Sequence, residues 1–170
     1  MVAMQTASGP GNYVRLQATY VGRLGVPVGI FVAVDHLRRQ GRLSDAEEEL
    51  YFTIDDWFEE HLPNPPFYAE GNPDQAVTWF RGDAAAADDL RARLAPLQVV
   101  LDAHEVAHEV VTSDDPGRII YLDHWQVGVI PYERSAPTPL DPSVTFTETS
   151  AGSKRAFARS LRPSTRRADT

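Results

Sequence analysis

The hydrophobic pattern divides the chain into short, distinct elements. In residues 13–21, YVRLQATYV, Val14, Leu16, Ala18 and Tyr20 fall on one side, and Arg15, Gln17 and Thr19 on the other. A two-residue period of this kind marks a half-buried strand. Gly22-Arg23-Leu24-Gly25 then turns the chain. The first half of residues 26–40 is apolar enough for a buried strand. Arg38 and Arg39, with Gly41 just beyond, are helix-ending chemistry, and they predict a helix over about residues 29–40.

Residues 44–68, SDAEEELYFTIDDWFEEHLPNPPFY, carry the clearest helix signal. Ser44 and Glu47 form an S-x-x-E capping box, and Asp45, Glu47, Glu48 and Glu49 suit the positive end of the helix dipole. Leu50, Ile54, Trp57, Phe58 and His61 recur at helical spacing as the expected buried face, with Asp55, Asp56, Glu59 and Glu60 as solvated flanks. Pro63 stops the helix, and Pro63-Asn64-Pro65-Pro66 reads as a stiff extended run presenting Phe67 and Tyr68. The short Gly-containing loop before Ser44 makes the two helices a hairpin.

Downstream, residues 76–80, AVTWF, read as a short strand, and Asp83 as a cap for a third helix. That helix has an apolar stripe at Leu90, Leu94, Leu97 and Leu101, with a kink or restart expected at Pro96. From Val106 to Thr112 the pattern alternates again. Asp114-Asp115-Pro116-Gly117 is a turn, and residues 118–122 and 125–130 complete an expected three-stranded meander. The fold class is therefore α+β: a helix hairpin and a third helix packed on one face of a small, mainly antiparallel sheet. Residues 1–12 are expected to be a flexible lead-in, 13–130 the globular domain, and 131–170 a mostly disordered basic tail.

Charge sharpens this division. Residues 1–130 hold 9 Lys and Arg against 20 Asp and Glu, whereas residues 131–170 hold 7 against 4. So acidic a body disfavours nucleic acid. Residues 152–168 carry six basic residues and no acidic one, and leave nucleic-acid binding open to the tail alone. With no cysteine there is neither a disulfide nor a thiolate site. No apolar run is long enough to span a membrane and no secretory leader is visible, so the expected location is the cytoplasm.

One motif bears on catalysis. His104-Glu105-Val106-Ala107-His108 is an H-E-x-x-H, and it resembles the zinc metalloprotease signature over those five residues. On a helix, His104 and His108 would bind one zinc and Glu105 would act as general base, with Asp123, His124 or Glu133 as third ligand. The alternation from Val106 argues against it. On a strand, residues four apart lie roughly 13 Å from each other, too far for one metal. The favoured reading has His104 ending a helix and His108 on a strand, with no cofactor. Zinc-dependent hydrolysis is the competing function, and the conformation of Val106 separates the two.

The leading expectation is a non-catalytic domain that binds a protein or small-molecule partner. Its surface is sought among the aromatics around the central helix: Trp57, His61, Pro66, Phe67, Tyr68 and Trp79.

Overall fold

β1, Tyr13–Val21, organises the sheet in the computed structural model, which describes residues 12–82 and 84–139. Along one edge it pairs antiparallel with β4, His108–Ser113, from Tyr13↔Ser113 to Ala18↔His108. Its other edge is shared. β3, Val77–Arg81, pairs with Tyr13 and Val14, and β2, Pro27–Gly29, pairs with Gln17 and Val21. β6, Gln126–Ile130, joins β3, and β5, Arg118–Leu122, forms the far edge against β6. The result is a six-stranded antiparallel open sheet with helices, an α+β fold.

The apolar side of β1 behaves as its sequence predicts, whereas Gln17, expected on the polar side, is buried as well. Val14, Leu16 and Ala18 are buried beneath the helices. α1, Ile30–Arg39, ends at Gly41, whose φ of 69° permits the reversal that Ala or a β-branched residue resists. α2, Asp45–His61, opens with the reciprocal capping box of Ser44 and Glu47. α3 is the single turn Pro66–Ala69, and α4 is Ala84–Ala103. Phe58 sits between Phe31 and Phe80, at ring-centroid distances of 5.2 and 6.0 Å. Leu90, Leu94, Leu97 and Leu101 of α4 close this core. A smaller apolar cluster, Val77, Val127 and Val129 with Leu24, Val26 and Trp79 against it, lies apart from the main one.

Several expectations change. β4 pairs with β1 and not with β5, so the last three strands are not a meander; only β5 and β6 form a hairpin. The buried face of α2 is centred on Tyr51, Ile54, Asp55 and Phe58. Asp55 is therefore core and not a solvated flank, while Trp57 is half-buried and His61 exposed. Pro66 enters α3 at its first position, which suits its fixed φ, so the proline run is extended only through Pro65. α4 runs through Pro96 as one helix.

The chain also stays on the body beyond Ile130. Arg134 donates to the Leu24 carbonyl at 2.7 Å and Ser135 N–H to the Gly25 carbonyl at 2.7 Å. Val21 and Thr138 exchange two hydrogen bonds, at 2.8 and 3.0 Å. The described body thus extends to residue 139. The Asp83 cap, the glycine-rich start and the basic stretch 152–168 lie outside the described residues. Among the described residues, no helix is long and apolar enough to cross a membrane.

Candidate functional site

The shared edge of β1 leaves a gap. Arg15 and Leu16 fall between the positions paired with β3 and those paired with β2, so neither has a backbone partner there. Local sequence explains why neither neighbour fills the space. β2 is only three residues long because α1 starts at Ile30. On the other side β3 is preceded by a tight loop. In it the buried Asn72 exchanges side-chain hydrogen bonds with the backbone of Ala76, at 2.8 and 2.9 Å.

The Arg15 side chain occupies the gap. Its Nη1 donates to the Thr78 carbonyl of β3 at 3.0 Å and its Nη2 to the Pro27 carbonyl of β2 at 2.9 Å. Nε donates to Gln17 Oε1 at 3.1 Å, and Gln17 in turn donates to Glu109. These contacts take three of five guanidinium N–H groups. Among the described residues no carboxylate pairs with Arg15. Burial pulls its pKa down to about 10, with a smaller opposing effect from Tyr68. A part-buried cation whose direct partners are all neutral oxygens is costly to keep.

A cavity of about 120 Å³ opens beside this arginine. Its walls come from both apolar clusters: Leu16, Phe31 and Phe80 from one, Leu24, Val26 and Val77 from the other. Its polar lining includes Arg15, Tyr68 and Thr78, and the Tyr68 and Thr78 hydroxyls are hydrogen-bonded to each other. The start of α1, from Gly29 to Val32, also lines it. An apolar enclosure with a few convergent polar groups is the usual form of a small-molecule site.

Of the residues singled out from the sequence, Tyr68 lines this cavity. Phe67 is buried with its ring against Gly128, Pro66 is exposed, and Trp79 packs in the smaller cluster. Trp57 stacks on His61, with centroids 4.1 Å apart, and carries the Arg93 guanidinium 3.7 Å from its ring, away from the cavity lining. Arg15, Thr78 and Gly29 were missed. A single arginine on the polar side of an alternating strand reads as solvent-facing, and the gap that half-buries it depends on pairings 66 and 68 residues apart, which no local signal reports.

The HEVAH segment is not helical throughout. α4 ends at Ala103, Glu105 takes a left-handed φ of 58°, Val106 and Ala107 are irregular, and His108 begins β4. The helical register that would align His104 and His108 is therefore broken. His104 Nε2 faces Glu47 at 3.0 Å, and His108 Nε2 faces Asp102 at 2.7 Å. Asp123 instead accepts hydrogen bonds from Tyr121 O–H and the Trp125 and Gln126 amides, which fixes the β5–β6 turn. His124 and Glu133 are exposed. Among the described residues no group of three or more His, Asp or Glu could hold a metal ion.

Comparison with models of known protein families, with curated proteins and with solved structures finds no match.

Proposed function

We propose that this domain binds a small, largely apolar molecule in the cavity between β2 and β3. The observation that carries the reading is the interruption of the sheet at Arg15 and Leu16, where apolar walls from two clusters meet a compact polar end. A volume near 120 Å³ suits a molecule of about one ring or a short branched chain, since a dry engineered cavity of comparable size takes benzene. The role is non-catalytic binding, with Leu16, Phe31 and Phe80 supplying apolar contact and Tyr68 and Thr78 fixing orientation.

Calorimetric titration of the full chain with benzyl alcohol tests this. Saturable binding with a negative heat-capacity change is expected. Val26→Phe, which fills the wall with a larger ring, should remove it. Absence of saturable heat, or equal binding by the filled variant, would contradict the proposal.

A further inference from the structure

Resting on the cavity being a binding site, we infer that its ligand is an anion: a compact apolar body carrying one carboxylate, received by Arg15 and the N-terminus of α1. Arg15 is a part-buried cation lining the cavity, as is Arg23, and its three hydrogen-bond partners are two carbonyls and an amide oxygen, all neutral. Two guanidinium N–H groups remain beyond those contacts. A fork of this geometry matches the two oxygens of a carboxylate better than any neutral acceptor.

The helix terminus adds to the same demand. α1 begins with Gly29 as N-cap, has no side-chain cap and has no acidic residue in its first turn, while Gly29, Ile30, Phe31 and Val32 all line the cavity. Contrast α2, where Ser44, Asp45, Glu47 and Glu48 complement the positive end. The start of α1 is left electropositive, and a Cβ built on Gly29 would stand 3.4 Å from Arg15 Nη2. Two positive features thus sit side by side at the cavity wall. Among the described residues no carboxylate contacts Arg15 directly, Glu109 reaching it only through Gln17, and an incoming carboxylate would satisfy both.

The hydroxyl pair supplies the remaining donor. Whichever of Tyr68 and Thr78 donates to the other, one hydroxyl hydrogen is left over at the polar end of the cavity. The apolar walls set the rest of the ligand, which excludes a multiply charged or sugar-like molecule. The acidic body, by contrast, repels anions in general. Anion binding here therefore depends on the local donors and not on a diffuse basic surface.

Benzoate and benzamide provide the test, since they share size and shape and differ in charge. Each is titrated into the full chain, alongside benzylammonium as the cationic counterpart. Benzoate should bind roughly tenfold or more tightly than benzamide, and benzylammonium should not bind. In Arg15→Met the benzoate affinity should fall to that of benzamide, and in Arg15→Lys the preference should shrink but persist. Should Arg15→Met not fold, the wild-type ratio and the lysine variant still decide. Equal affinity for benzoate and benzamide overturns the anion inference and leaves the cavity as a neutral site. No binding of any of these probes, or of benzyl alcohol, overturns both.

Discussion

Arg15 donates to the carbonyl oxygen of Thr78 at 3.0 Å, across a point where no backbone ladder joins β1 to β3. The side chain stands in for a strand, since it satisfies acceptors that the sheet leaves open. Removing it should loosen the split. Arg15→Met is expected to lower stability by about 1–3 kcal/mol, because two carbonyls lose their donors while the cost of a part-buried charge is also relieved. Denaturant unfolding of the full chain measures this; an unchanged midpoint would show that Thr78 and Pro27 find other donors.

Glu47 links the start of α2 to the end of α4. Its carboxylate accepts from the Ser44 amide at 2.8 Å and faces His104 Nε2 at 3.0 Å. The Ser44 backbone hydrogen bond first, and then His104, hold its pKa below the ordinary 4.5. A carboxyl more acidic in the folded than in the unfolded chain contributes stability that is complete above pH 4.5. That contribution is lost as pH falls through the folded value. Melting temperature should therefore drop more steeply in the wild type than in Glu47→Gln as pH falls below 4.5. Identical slopes would remove Glu47 from the acid response. At neutral pH, Ser44→Ala should cost about 1 kcal/mol.

Gly128 on β6 is in contact with Phe67, and a methyl there would stand 2.8 Å from Phe67 Cζ. Because Phe67 precedes Tyr68 on the same short turn, crowding should travel to the cavity. Gly128→Ala is expected to destabilise by about 1–3 kcal/mol and to weaken benzyl alcohol binding. Phe67→Leu added to it should restore part of both losses. Loss of stability with binding intact would show that α3 does not position Tyr68.

His108 meets Asp102 at the surface, and His104 meets Glu47 on another element. His108→Ala should cost no more than about 1 kcal/mol. Elemental analysis of purified protein should find no stoichiometric zinc in the wild type or the variant, and a chelator should leave the melting temperature in place. Stoichiometric zinc lost in His108→Ala would restore the hydrolase reading.

Much of the fold was legible because its signals are local. The alternation of Val14, Leu16 and Ala18, the box of Ser44 and Glu47 and the leucine stripe of α4 each depend on neighbours within a turn or two. The order of strands was not, since β4 could add to β5 or to β1 with the same alternation and only tertiary packing chooses. The face of α2 was misjudged by about one position for a related reason. Trp57 offers more apolar area than Tyr51, yet the geometry of α2 buries Tyr51 fully and leaves Trp57 half-buried against Arg93. At the site, Tyr68 was accessible from the proline-aromatic run, whereas Arg15 took its meaning only from the gap around it.

Methyl-detected NMR of the full chain during titration with benzyl alcohol reports where a ligand binds as well as whether it does, and so decides whether the cavity beside Arg15 is a binding site. Saturable shifts are expected to concentrate at Leu16, Val28, Ile30 and Val77, all on the cavity wall. Shifts that never saturate, or that gather instead at the exposed side chains of Val99, Ile119 and Leu122, would contradict it.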